Sequence, residues 1–283
     1  MGVWHHLGVT RLAGAHVLVT GGSSGIGLAV AEQCAAAGSR VSIVARNPGR
    51  LAAACDRVTR VATAGPGSVV AESADVTDPA AVQRAVVAAE TALGPVDVCV
   101  TSAGYALPGG FTELDDAAFR DQMEVDYFGT VHVLRAVVPG MVERRRGHLV
   151  LVSSTVATLG VVGYSAYAPV KFAVRGLAET LRPELAPYGI VVACSYPPDT
   201  DTPGYAEENR HKPDATRAVS ANIEPRTAGA VGRTIVRGIE RDRLVITSDP
   251  TTTVLVRAGA LLRPFVDRHL DRLARKAGHG PGA

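Results

Sequence analysis

The chain has 283 residues, enough for one large α/β domain with additions. An apolar content of 47% and a charged content of 20% describe a packed globule, and a net charge of +2 with aromatics at 5% argues against a nucleic-acid surface. Its four cysteines, Cys34, Cys55, Cys99 and Cys194, have neither metal-ligand nor disulfide spacing and read as reduced core residues of a cytoplasmic protein.

Residues 1–13 read as a tail without the apolar run of a secretion signal, and no later stretch reaches the roughly 20 apolar residues of a membrane span. Ala15–Thr20 is a short apolar run, the mark of a strand buried on both faces. It leads into GGSSGIG and a helical pattern over Leu28–Ala37. Strand Val41–Ala45, helix Pro48–Val61 and strand Val69–Ser73 follow. Thr77 or Asp78 caps a helix over Pro79–Leu93, and Val96–Thr101 is the fourth strand. A long helical stretch runs from about Asp116 to Glu143, interrupted near Gly129. Strand His148–Val152 precedes a helix that Pro169 places at or just before Tyr167, with a kink or early break expected at Pro183. Strand Ile190–Cys194, a long polar segment over 197–225, helix Thr227–Glu240 and strand Leu244–Thr247 complete the pattern. Alternating strands and helices predict a doubly wound parallel sheet over 14–247, with ligands at the carboxyl ends of its strands. An amphipathic helical extension is expected over 248–283.

Three residues near the fifth strand carry chemistry. Tyr167 and Lys171 are four apart, hence on one helical face, and Ser154 ends the preceding strand. Seven Tyr and three Lys make one Tyr-x-x-x-Lys by chance expected about 0.07 times. A chain that writes nearly every cation as Arg has placed Lys here, a compact charge that lowers the pKa of a neighbouring phenol. Upstream, Gly21, Gly25 and Gly27, with Ser23, Ser24 and Ile26 between them, form a strand-to-helix turn in which backbone N–H groups meet a pyrophosphate. Residues 41–50 contain no acid to bind a ribose 2′-hydroxyl, and Arg46 stands where a 2′-phosphate would arrive, so the cofactor is expected to be NADP(H).

Thr20-Gly21…Gly25-Ile26-Gly27 with Ser154…Tyr167-x-x-x-Lys171 resembles the short-chain dehydrogenase/reductases over about residues 12–247. That resemblance implies a Rossmann-like sheet of seven strands in the order 3-2-1-4-5-6-7. It implies Tyr167 as proton donor to a ketone, Lys171 on the ribose, and Ser154 on the carbonyl. It also implies Asp75 and Val76 at the adenine, Ala103 and Gly104 after the fourth strand, and Pro197, Thr200 and Thr202 around the nicotinamide and phosphates. Tyr196-Pro197-Pro198-Asp199-Thr200-Asp201-Thr202-Pro203-Gly204, with AEENR and Lys212-Pro213, looks like the 3-ketodihydrosphingosine reductase subfamily. The chain departs from the family at Thr101-Ser102-Ala103-Gly104, usually Asn-Asn-Ala-Gly, and at Asp126, which stands for a catalytic asparagine and could pair with Lys171. It also lacks the eukaryotic enzyme's hydrophobic membrane segments.

The expectation is an NADPH-dependent reductase of a long-chain 3-keto lipid. The alternatives are a reductase of another ketone, such as a 3-oxoacyl thioester, and a non-catalytic NADP(H)-binding regulator. The 197–225 segment is expected to be a lid whose Asp199, Asp201, Glu207 or Glu208 pairs with a substrate ammonium. The family's habit suggests a homodimer or homotetramer. The basic amphipathic stretch 251–276, with Leu255, Leu262, Val266, Leu270 and Leu273 on one face, is expected to border the substrate entrance and touch anionic lipid peripherally.

Overall fold

The structure is a computed structural model that describes residues 10–221 and 223–276, apart from the side chains of 260, 262, 273 and 276. Residues 1–9 of the expected tail and 277–283 of the expected extension lie outside them. Seven strands form one sheet: β1 His16–Thr20, β2 Arg40–Ala45, β3 Val69–Ser73, β4 Val98–Thr101, β5 Gly147–Val152, β6 Ile190–Tyr196 and β7 Val245–Thr247. Their order is β3-β2-β1-β4-β5-β6-β7, every pair parallel, as the sequence predicts.

Successive strand residues point to opposite faces, so one strand feeds two cores. Leu18 joins Leu149, Leu151 and Val192 on one face, under helices α3 (Pro79–Leu93), α5 (Gly129–Arg144) and α6 (Tyr167–Leu185). Val17 and Val19 join Val150 and Ala193 on the other, under α1 (Gly25–Ala36), α2 (Pro48–Val61) and α9 (Ala228–Glu240). Each fully buried Val or Leu contributes about 1.5–3 kcal/mol of transfer energy, which is why these strands read as unbroken apolar runs.

Several helix ends obey local rules. Asp78 caps α3, accepting from the N–H groups of Ala80 and Ala81, and Asn47 caps α2, accepting from Arg50, each with a proline next. Ser24, the residue before α1, makes no such side-chain bond. This helix begins at Gly25, three residues before the expected Leu28, so the glycine turn itself supplies its N-terminus. The long stretch from Asp116 is broken, as expected near Gly129: α4 (Asp116–Gln122) passes into a π-helical turn, Met123–Phe128, before α5. Pro183 does not break α6 early; it sits in the last turn, and the helix ends two residues later in a 3-10 turn, Ala186–Tyr188. The polar segment after β6 is not a bare loop. It contains α7 (Pro203–His211) and α8 (Asp214–Ser220), and Thr200–Asp201 pairs with Arg226–Thr227 across its base.

The final helix, α10 (Pro250–Lys276), packs on α8 and on the 3-10 turn Thr155–Thr158 beside Ser154. Thr252 anchors its start, bonding Thr155 Oγ1 and Asp249. No helix among the described residues is long and apolar enough to cross a membrane.

Candidate active site

Ser154 follows β5, and Tyr167 opens α6, so both stand at the carboxyl edge of the sheet. The Ser154 hydroxyl is close enough to hydrogen-bond the Tyr167 phenol and also accepts the Val156 N–H at 3.3 Å. Lys171, one turn along α6, is buried, and its Nζ lies 5.5 Å from the centre of the Tyr167 ring. The same ammonium is 2.7 Å from Asp126 Oδ1 and donates to the Val152 carbonyl at 3.4 Å. Asp126 is 1% exposed and sits in the π-helical turn, a distortion common at functional sites; its other oxygen accepts the Tyr105 N–H at 3.2 Å. Gly104, just before Tyr105, lies against this carboxylate with no room for a Cβ.

These neighbours set the charge states. Burial, the largest cause, pulls the Lys171 ammonium down, but Asp126, Tyr167 and Cys194 together hold its pKa above the ordinary value. Burial likewise raises the Asp126 carboxyl, with Lys171 opposing. The sequence predicts a lowered phenol pKa at Tyr167; the structure instead pushes it up to about 12. Burial is the largest cause, Lys171 acts downward as expected, and Asp126 and Glu208 act upward against it. Tyr167 is therefore held as the neutral phenol at neutral pH.

The glycine turn fits a pyrophosphate. Gly21 has φ +67°, and a Cβ there would meet the Ser102 carbonyl at 2.7 Å; one on Gly27 would meet the Gly21 carbonyl at 2.5 Å. Side chains are thus excluded where backbone N–H groups must reach a ligand. Ser23, Ser24 and Ile26 line this turn half-exposed, and the Thr20 hydroxyl ties it to Ser102 and Ala103. Arg46, just past β2, is exposed, with Nη1 3.7 Å from Asp75 Oδ2. Burial raises Asp75, but bonds from Thr77 and the charge of Arg46 hold it below the ordinary carboxylate range. Val76 is buried against α5, and its carbonyl is bonded to His132. Pro197 accepts from Thr155, Thr200 is buried, and Thr202 caps α7 while crossing the glycine turn, within 3.1 Å of a Cβ placed on Gly25. The predicted cofactor residues lie in the segments that follow the carboxyl ends of β1, β2, β3, β4 and β6.

A second charged group lies over the first. The Tyr164 ring is 5.7 Å from that of Tyr167, and its hydroxyl donates to Glu208 of α7. Lys212, just after α7, is buried, with Nζ 3.0 Å from Glu208, 3.9 Å from Asp199 and 4.3 Å from the Tyr205 ring centre. Sequence reasoning named these acids, met Lys212 only as part of a motif, and missed Tyr164. The signal for Lys212 was present, since it is another of the three lysines in an arginine-rich chain.

Residues 15–213 match the sequence model of the family described as short chain dehydrogenase. Over 74% of this chain it is 46% identical to a protein of Danio rerio named 3-dehydrosphinganine reductase, and the match spans 64% of that protein, just under two thirds of its length. A 3-ketodihydrosphingosine reductase of Bos taurus is 43% identical over 80% of this chain and 68% of its own. One of Dictyostelium discoideum is 37% identical over 93% and 83%. Among solved structures, levodione reductase superposes with a TM-score of 0.77 at 25% identity, covering 84% of this chain and 97% of its own. An actinorhodin polyketide ketoreductase with NADPH gives 0.76 at 27%, over the same shares. Together, the match over most of the sequence and the parallel sheet establish that the chain belongs to the short-chain dehydrogenase family.

Proposed function

We propose that the chain is an NADPH-dependent reductase of a long-chain 3-keto lipid, converting 3-ketodihydrosphingosine to dihydrosphingosine in sphingolipid synthesis. The observation that carries the chemistry is the set Ser154, Tyr167 and Lys171 at the sheet edge, beside a glycine turn with no room for side chains. The substrate rests on the three relatives above, whose names specify this ketone.

In this reading the bound reduced nicotinamide supplies the hydride. Tyr167 gives its phenolic proton to the carbonyl oxygen, and Ser154 holds that oxygen by a hydrogen bond. Lys171 binds the ribose hydroxyls and its charge stabilises the tyrosinate left behind. Arg46, with Ser23 and Ser24, receives the 2′-phosphate, the choice that favours NADP(H) over NAD(H). Asp75 and Val76 border the adenine, Gly21, Gly25, Ile26 and Gly27 the pyrophosphate, and Ala103, Gly104, Pro197, Thr200 and Thr202 the nicotinamide half. Asp126 takes the place of the family's asparagine and anchors Lys171.

Residues 197–225 form the lid of a domain spanning 14–247. The extension carries Leu261 and Phe265, 82% and 75% exposed, among exposed Arg257, Arg263 and Arg268, a composition suited to peripheral contact with anionic lipid. A homodimer or homotetramer is the expected assembly.

One observation favours a second reading: the Lys171–Asp126 ion pair draws on the charge that Tyr167 needs, as in an NADP(H)-binding regulator without turnover. NADPH consumption with 3-ketodihydrosphingosine beside a chain-matched 3-oxoacyl thioester separates the readings. Preference for the keto amine supports the proposal, preference for the thioester replaces the substrate, and binding of NADPH without consumption of either supports the regulator.

A further inference from the structure

Four acids of the 197–225 segment, Asp199, Asp201, Glu207 and Glu208, are not equivalent. Asp201 is exposed, and Glu207 faces outward, paired with Arg210 at 2.7 Å and His211 at 3.4 Å. Glu208, the next residue on α7, turns inward with its side chain 14% exposed. Its Oε1 accepts the Tyr164 hydroxyl and lies 3.0 Å from Lys212 Nζ, while Oε2 takes no hydrogen bond from any described residue. Tyr164 in turn lies tilted beside Tyr167, at 51° between the rings, so Glu208 stands one aromatic ring away from the proton donor. Its charge is felt there, as one of the causes that hold the Tyr167 phenol up.

The charge balance of this cluster is open. Asp199 and Glu208 face a single cation, Lys212, which leaves one negative charge in excess. The Lys212 side chain is 2% exposed, and although its Nζ lies 3.0 Å from Glu208, it makes no aligned hydrogen bond to any described residue. Buried charges and unused donors are costly unless a partner completes them. A ligand with one positive charge beside Glu208 would complete that balance.

Resting on the keto-amine reading above, we propose that Glu208 is the specificity residue for the substrate amine. Its free oxygen accepts the ammonium on the carbon next to the ketone, and the buried Lys212 behind it holds the carboxylate in place. Asp199, bonded by the Tyr205 hydroxyl at 3.2 Å, holds Lys212 from the far side. The amine thus lies against the lid while the carbonyl lies against Tyr167 and Ser154, which fixes the orientation of a 2-amino-1-hydroxy-3-ketone in the site.

The test uses the full chain with NADP+ and two short-chain ligands, a 2-amino-1,3-diol and the same 1,3-diol without the amine. Binding is measured by titration calorimetry for the parent, Glu208→Gln and Glu207→Gln. The parent is expected to prefer the amino diol by roughly 10- to 100-fold, the range of a charge-assisted hydrogen bond. Glu208→Gln should abolish that preference and leave affinity for the plain diol unchanged, and Glu207→Gln should keep it. A preference absent from the parent, surviving in Glu208→Gln, or lost equally for both ligands overturns the assignment. Should Glu208→Gln fail to fold, Glu208→Asp retains the charge on a shorter arm; an undiminished preference there overturns the assignment equally. Turnover is scored apart. An amine preference that depends on Glu208, without NADPH oxidation, refutes the reductase and keeps the site; turnover with a preference indifferent to Glu208 does the reverse.

Discussion

Replacing Asp126 by Asn tests how the site sets the acidity of Tyr167. The substitution keeps the shape and an oxygen for the Tyr105 N–H but removes the charge paired with Lys171. The ammonium between the two groups is 5.5 Å from the tyrosine ring centre and 2.7 Å from the carboxylate, so carboxylate and ring centre are no more than about 8 Å apart. At an effective dielectric of about 20 a unit charge at that distance is worth about 2 kcal/mol, or roughly 1.5 pH units. Asp126 and the tyrosinate carry the same sign, so the carboxylate raises the Tyr167 pKa and its removal lowers it. Ketone reduction needs the protonated phenol, so its rate is present below that pKa and lost as pH rises through it. Alcohol oxidation needs the phenolate and behaves oppositely. With the parent phenol at about 12, oxidation should still be climbing at the alkaline end of the accessible range. In Asp126→Asn the same rise should come roughly 1.5 units lower, with reduction at neutral pH retained or raised. The assay is initial rate against pH in both directions, at saturating substrates. Coincident profiles would refute the electrostatic argument, and a large loss at every pH without a shift would give the carboxylate a separate role.

Tyr167→Phe should lower reductase turnover by about 10²- to 10⁴-fold, the usual contribution of a positioned acid, with unchanged NADPH binding; retention of most activity would exclude Tyr167 as the donor. Arg46→Ala should weaken NADPH binding by roughly 10- to 100-fold and leave NADH nearly unaffected; equal affinity of the parent for the two nucleotides contradicts the 2′-phosphate assignment. The full chain should sediment with anionic liposomes at low salt and release as salt rises, because screening weakens surface attraction. A chain ending at Asp249 should stay in the supernatant; identical behaviour of the two means that α10 only packs on the protein.

The sheet was legible because its strands are buried on both faces and so appear as apolar runs; Val17, Leu18 and Val19 belong to two cores yet spell one stretch. The helices of the lid were not. Segment 203–211, PGYAEENRH, buries no residue of its own and therefore has no apolar period, and the seven residues of α8 are too few to show one. Thr202 caps α7 with Pro203 next to it, a local pattern that the reading of the segment as a polar lid did not use. At the site, the pairing of Asp126 with Lys171 was expected because the family resemblance places position 126 beside the lysine and the residue there is charged. The direction of the Tyr167 shift was not, because a neighbouring cation can be read from spacing whereas burial and a facing carboxylate cannot. Rarity singled out Lys171 among three lysines; applied evenly, it singles out Lys212 as well.

The two buried lysines are held alike. Each is held by carboxylates of another element, Lys171 by Asp126 of the π-helical turn and Lys212 by Glu208 and Asp199 of the lid segment. Each pairing leaves little net positive charge to draw a proton off the phenol between them. Three carboxylates against two ammonium groups leave Tyr167 in a slightly negative surrounding, the opposite of what would ready it as a base. A tyrosine so placed is present as the neutral phenol, the form that ketone reduction requires, but as a weak acid. A substrate ammonium at Glu208 would remove the excess negative charge as it binds. The phenol would then become more acidic only when the keto amine is in place, so that recognition of the amine and readiness to release the proton are coupled through the same carboxylate.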